Sequence, residues 1–288
     1  IFMIVLGIES TAHTFSIGII KDNKILAEAK SMYTTEKGGI IPIEAAKHHE
    51  KIKEKLLEDA LKQANLKFED IGLIAISTGP GLAPCLLVGL KFAKELAKKY
   101  NKPLIPVNHI VGHLEIGKLL TEAKDPVYVF VSGANTQIIA LEGGKYRIFG
   151  ETLSIGLGNA FDKFGRAIGL GFPSGPKIEE QAKNGKYIEL PYGVKGMDVD
   201  FSGIITKAIH LYKKGAKIED LCFSLQETCF AMLTEITERA IAHTNKKEAL
   251  LIGGVAANKR FVEMLDVMCK ERNAKFYACS IKYSGDNG

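Results

Sequence analysis

The sequence predicts a mixed α/β protein built as two halves that follow one plan. Three observations carry that reading. Each half opens on an apolar strand that runs into a turn of small residues, continues through two strands joined by a tight turn, and later places an apolar strand before a glycine loop that opens a helix. With 288 residues, 46% of them hydrophobic and 25% charged, the chain can bury a sizeable core and is neither disordered nor collagenous.

The first half begins with Ile4 to Ile8, which passes into Glu9-Ser-Thr-Ala12. Strands Phe15 to Ile20 and Ile25 to Ala29 follow around the turn Asp22-Asn23, whose residues tolerate positive φ. An amphipathic helix over His48 to Ala64 precedes strand Leu73 to Ser77, loop Gly79-Pro-Gly81 and helix Leu86 to Lys99. The second half repeats this order. Val127 to Val131 passes into Ser132-Gly-Ala-Asn-Thr136, strands Gln137 to Leu141 and Tyr146 to Glu151 flank Gly143-Gly144, and a helical pattern covers Phe223 to His243. Strand Ala249 to Ile252, loop Gly253-Gly254 and a helix over Ala256 to Lys270 complete it. Residues from about 170 to 220 have no counterpart in the first half and read as a helical insertion. The expected lobes are 1–124 and 125–288, cut near Lys124-Asp125-Pro126.

The longest uncharged stretch, Ile71 to Leu90, is broken by Gly79-Pro-Gly81 and Pro84 where a spanning helix would be continuous, so no membrane segment is expected. No basic-then-apolar leader opens the chain, and secretion is not indicated. The five cysteines are scattered without a C-x-x-C pair, which argues against a disulfide framework or a thiolate zinc site and fits a reducing cytoplasm. A net charge of +5 permits a polyanionic partner without requiring one.

Three constellations carry chemistry. His109-Ile-Val-Gly-His113 follows the apolar strand Leu104 to Val107, and at i and i+4 on a helix two imidazoles project from one face, close enough to share an ion. A zinc protease uses the same histidine spacing but needs a glutamate directly after the first histidine, where this chain has Ile110. A third ligand has to come from elsewhere, and the carboxylate of Ser284-Gly-Asp286-Asn287 is a candidate. The glycine-punctuated turns Ser132 to Thr136, Phe172 to Pro176 and Gly253 to Asn258 form the second constellation, since a phosphate approaches backbone only where no side chain blocks it. The third is Gly156 to Lys163, in which Asp162 is placed to accept hydrogen bonds from ribose hydroxyls. Each of these also reads as an ordinary turn, helix start or pair of polar helix positions. A strand, hairpin and alternating helix–strand unit built twice is the plan of the actin, hexokinase and heat-shock ATPase superfold, which holds a nucleotide in a cleft between its lobes.

Taken together, the motifs GIESTAHT at Gly7 to Thr14, STGPGLAPCL at Ser77 to Leu86, HIVGH, VSGANTQ, GNAFDK, FPSGPKIE, MDVDFSG at Met197 to Gly203, GGVAAN and GDN resemble one family over essentially the whole chain. That family is the tRNA N6-adenosine threonylcarbamoyltransferases, called TsaD in bacteria, with archaeal and eukaryotic members in the KEOPS complex. The STAHT start and the MDVDFSG segment resemble the archaeal and eukaryotic branch. The resemblance implies transfer of threonylcarbamoyl from threonylcarbamoyl-AMP to N6 of the tRNA adenosine beside the anticodon, with AMP released. It implies one transition metal, iron or zinc, on His109, His113 and Asp286. It also implies an adenylate site lined by Phe130, Val131, Ser132, Gly133, Ala134, Asp162, Gly175, Glu179 and Asn258. No catalytic side chain beyond the metal ligands is assigned. Phe130 stands where relatives can offer a tyrosine ligand, and Ala134 and Ser174 replace usual glycines. Implied partners are tRNA, a small atypical protein kinase, fused C-terminally in some relatives, and the other KEOPS subunits. The family continues beyond the GDN motif into another helix, so a truncated chain is expected. A small-molecule kinase and an ATP-binding regulatory scaffold are the alternatives on the same superfold, and either would hold magnesium rather than a stoichiometric transition metal.

Overall fold

The computed structural model describes residues 3–35, 40–283 and 285–288. They form two compact units, one of residues 1–115 with 285–288 and the other of residues 116–284.

The first unit is a five-stranded sheet with two long helices. Strands β1 (Ile4–Glu9), β2 (Thr14–Lys21) and β3 (Lys24–Met32) form an antiparallel meander. Asp22 and Asn23, at φ 50° and 61°, turn the second hairpin with the twist that two-residue connections favour. Helix α1 (Pro42–Ala64) leads to β4 (Leu73–Gly79), and α2 (Ala83–Tyr100) leads to β5 (Leu104–Asn108), both strands running parallel to β1. The sheet order is β3-β2-β1-β4-β5, and helix α3 (His109–Leu119) follows directly. Phe15, Ile17, Ile74, Phe92 and Ala93 lie in the shared core. Helix α1 starts ahead of the expected His48 because Pro42 occupies its first turn, where a missing N–H costs nothing.

The second unit repeats the sheet. Strands β6 (Val127–Val131), β7 (Thr136–Glu142) and β8 (Lys145–Glu151) form the meander, with Gly143 and Gly144 at φ 60° and 73° in the same kind of turn. Helices α4 (Leu157–Ala167) and α5 (Gly175–Ala182), a short hairpin of β9 (Val194–Lys195) and β10 (Asp198–Val199), and helix α6 (Ser202–Lys213) come next. The long helix α7 (Ile218–Thr244), β11 (Glu248–Ile252), α8 (Lys259–Glu271) and β12 (Lys275–Ala278) complete the unit. Its order, β12-β11-β6-β7-β8, is that of the first sheet with β6 in the place of β1. The duplicated plan therefore holds at the level of strand order and direction.

Helix α7 is the spine of this unit's core, where the Phe230 ring stacks on Phe261 of α8 at 4.8 Å between centroids. Helices α1, α2 and α7 each end at an asparagine in the left-handed region, Asn65, Asn101 and Asn245, which frees the last carbonyls to find donors. The helix expected from Ala256 is split: a 3₁₀ turn covers Gly254–Ala257, and Asn258 then caps α8 by accepting from the Arg260 and Phe261 amides at 3.0 and 3.2 Å. Burial raises the core thiols, Cys85 to about 11 and Cys222 and Cys269 to about 12, which leaves them unreactive. Among the described residues no helix is long and apolar enough to cross a membrane.

Candidate functional site

In the first unit the histidine pair is set by a helix start. Asn108, the last residue of β5, accepts from the amides of Ile110 and Val111 at 2.9 and 3.2 Å, so α3 begins with His109 in its first turn. One turn later His113 stands beside it, the rings 4.6 Å apart and nearly perpendicular. Asp286 completes the group, its Oδ1 lying 3.6 Å from His113 Nε2 and 3.9 Å from His109 Nε2. One ligand atom from each residue lies within 4.8 Å of the others. Ser284 of the same segment lies outside the described residues.

Those separations are informative. They are long for hydrogen bonds, yet ligand atoms held about 2.1 Å from a tetrahedral cation sit roughly 3.4 Å from one another. Two imidazoles and a carboxylate with little exposed surface suit a borderline cation such as zinc or ferrous iron. Burial opposes the charged form of Asp286, but the polar contact and charge of His113, with the charge of His109 and His13, hold its carboxyl below the ordinary range. Burial likewise opposes a charged His109, and the hydrogen bond and charge of Glu9, with Asp286, outweigh it and hold that imidazole above its usual value.

Room for the returning segment is written into two strands. Gly7 and Gly18 are register partners across β1 and β2, and a Cβ on either would collide with the backbone of Gly288. Lys30 Nζ also donates to Asn287 Oδ1 at 3.2 Å. Sequence reading took these glycines as ordinary strand residues; their pairing shows only once the register is known.

In the second unit a concave pocket of about 240 Å³ opens between α4, α5 and the turn before α8. Gly133, Asp162, Gly175, Glu179 and Asn258 of the anticipated residues line it. Phe130, Val131, Ser132 and Ala134 do not: Phe130 and Val131 are fully buried on β6, on opposite faces of the strand. Ser132 holds the turn closed, its Oγ accepting from the Asn135 amide at 3.1 Å. The Ser132 and Gly133 carbonyls accept from the amides of Gly158 and Asn159, so these donors at the start of α4 are occupied within the protein. The close approach needs glycine: a Cβ at Gly158 would lie 2.8 Å from Gly133 Cα.

Each acid in the pocket uses one oxygen on the backbone. Asp162 Oδ1 accepts from the Ser174 amide at 2.8 Å, tying down the turn before α5, and Glu179 Oε1 accepts from the Lys259 amide at 2.9 Å. Asn258 is spent structurally, since beyond its cap its Nδ2 donates to Gln226 Oε1 at 2.6 Å. Phe161 and Val255 supply an apolar wall that sequence reading missed. Phe161 was visible inside the GNAFDK motif, but periodicity alone assigns it to the core.

The family model for TsaD, tRNA N6-adenosine threonylcarbamoyltransferase, matches residues 24–288. A protein of that name from Thermococcus sibiricus is 57% identical over 288 residues, covering 99% of this chain and 89% of its own. A bifunctional tRNA threonylcarbamoyladenosine biosynthesis protein from Methanobrevibacter smithii is 53% identical over 289 residues, covering all of this chain but 54% of that protein. Among solved structures, full-length HypF in a phosphate- and nucleotide-bound form aligns with a TM-score of 0.67 at 12% identity, over 97% of this chain and 52% of that one, a likeness that speaks to the actin-like fold alone. The duplicated sheets, the motif order and this degree of identity lead to one assignment: the chain belongs to the tRNA N6-adenosine threonylcarbamoyltransferase family, and the enzymes it resembles are transferases.

Proposed function

We propose that the chain transfers threonylcarbamoyl from threonylcarbamoyl-AMP to N6 of the tRNA adenosine adjacent to the anticodon. The nitrogen lone pair attacks the carbamoyl carbon, an N–C bond forms, and the C–O bond to the phosphate breaks. AMP leaves with that electron pair, and the nitrogen gives up a proton. The observation that supports this reading best is the meeting of His109, His113 and Asp286 within 4.8 Å in a chain of this family.

His109, His113 and Asp286 would hold one iron or zinc ion. When bound, the ion supplies Lewis acidity and a template for an oxygen of the threonylcarbamoyl group. The second unit's pocket would take the adenylate. Its volume of about 240 Å³ falls below the roughly 300–1,000 Å³ of whole-ligand sites, so it accommodates part of the nucleotide. Phe161 and Val255 offer apolar surface to the base, and the remaining oxygens of Asp162 and Glu179 can accept from ribose hydroxyls. Partners under this reading are tRNA, a small protein kinase and the other KEOPS subunits, acting in the cytoplasm. A fused second activity in the bifunctional relatives, of which this chain spans 54%, is consistent with such an assembly.

The test is transfer to unmodified tRNA in the complete complex, read by nucleoside mass spectrometry together with AMP release and metal content. Turnover of ATP without tRNA, with magnesium as the sole metal, would instead favour a kinase or scaffold. A second expected outcome concerns the acids. Asp162→Asn or Glu179→Gln should weaken AMP binding by calorimetry roughly tenfold or more, as expected for losing a hydrogen bond to a charged group. Affinities within twofold of the parent protein would remove both residues from the site.

A further inference from the structure

We infer that Glu9 is the positioning residue of the His109–His113–Asp286 group, fixing the tautomer and ring orientation of His109. This inference rests on the metal-centre reading above and extends it. Glu9, the last residue of β1, is 2% exposed, and its only ionic partner among the described residues is His109. A carboxylate removed from water to that extent is stable only if its oxygens accept hydrogen bonds. Two donors meet that need: the Thr11 amide at 2.6 Å on Oε1 and His109 Nδ1 at 2.9 Å on Oε2. The Thr11 hydroxyl also lies 3.2 Å from His109 Nδ1. Because the ionised Glu9 carboxylate can only accept, Nδ1 carries the proton, the Thr11 hydroxyl being able to serve as a second acceptor, and a neutral ring then has its lone pair on Nε2. Nε2 is the atom that faces Asp286.

The carboxylate has little freedom to adapt. The Thr11 carbonyl accepts from the Leu82 amide at 2.7 Å, and Gly81 packs so closely that any Cβ there would strike Thr11. His49 Nε2 lies 3.0 Å from the Ala12 carbonyl, and Gly89 lacks the Cβ that would collide with the Ser10 hydroxyl. The turn after β1 is therefore held from both α1 and α2, with Gly81 of the Gly79-Pro-Gly81 loop packed on Thr11. A carboxylate behind a metal-binding histidine raises ligand basicity and orients the ring, and losing one costs about 10- to 100-fold in metal affinity.

Glu9→Gln is the discriminating variant. Its single carbonyl oxygen cannot serve both the Thr11 amide and His109 Nδ1–H, and an amide N–H₂ toward Nδ1 selects the tautomer that blocks Nε2. The metal-free full chain would be titrated with Co²⁺, following the d–d absorption, with circular dichroism as the check on folding. A 10- to 100-fold weaker Co²⁺ affinity for Glu9→Gln, with the fold intact, is the result expected. Affinity within twofold of the parent overturns the role of Glu9 while leaving the metal centre standing. A parent protein that binds no Co²⁺ overturns both. Should the variant not fold, nitrogen-15 histidine spectra of the metal-free parent at mildly alkaline pH decide the matter: His109 protonated on Nδ1 supports the inference, and protonation on Nε2 overturns it.

Discussion

His113→Ala is expected to lose its stoichiometric metal and to lower threonylcarbamoyl transfer by roughly a thousandfold, the scale of losing several kcal/mol of electrostatic stabilisation. The reasoning starts from reach. His113 Nε2 is the nearer of the two imidazole nitrogens to Asp286 Oδ1, at 3.6 Å against 3.9 Å, and a two-ligand remnant of His109 and Asp286 would not hold a borderline cation at cellular concentrations. His113 is buried, so truncation also opens a small void, and thermal unfolding must be followed beside metal content. A folded variant that has lost its metal but transfers at the parent rate would overturn the proposed role of the centre. Chelation of the parent protein should reproduce the loss, and re-addition of iron or zinc should reverse it.

How far this centre could be read from sequence depended on the distance along the chain. The i, i+4 spacing of His109 and His113 is a local property of a helix, and helices follow from periodicity. Asp286 could be named as a candidate only because its motif stood out; what makes room for its segment is the Gly7–Gly18 gap, in which Gly288 lies, a tertiary fact with no sequence period. Glu9 was hidden for a similar reason. It reads as the first residue of the turn Glu9-Ser-Thr-Ala12, and only its 2.9 Å contact with a residue a hundred positions away gives it a role. The sheets themselves were legible because Asp22-Asn23 and Gly143-Gly144 mark both hairpins and because apolar runs of strand length recur in one order. Strand β12 was not, since Lys275–Ala278 is too short to show a pattern and is specified by pairing with β11. In the second unit's pocket, sequence reasoning placed Asp162 and Glu179 on the wall but also included Phe130 and Val131, whose motif neighbours reach the pocket while they remain within the sheet.

Gly253→Ala should destabilise the second unit by about 4 kcal/mol. Two independent penalties add. Gly253 follows β11 with φ 103° and ψ 169°, a region that side chains other than glycine's leave essentially empty, at a cost of about 1–3 kcal/mol. The new Cβ would also fall against the Val131 carbonyl at the end of β6, and overpacking of that kind typically costs a further 1–3 kcal/mol or so. Neither neighbour can yield, since Val131 pairs with Thr136 and its preceding residue with Ile252. Denaturant unfolding with an unchanged m-value measures the loss. The adjacent Gly254→Ala provides the contrast. No heavy atom lies within 4 Å of its Cβ position and the residue lines the pocket, so stability should stay within about 0.5 kcal/mol while AMP affinity falls. If Gly254→Ala binds AMP as the parent does, the adenylate does not approach this turn. If Gly253→Ala unfolds at the parent midpoint, the strained turn is not what joins β11 to the pocket.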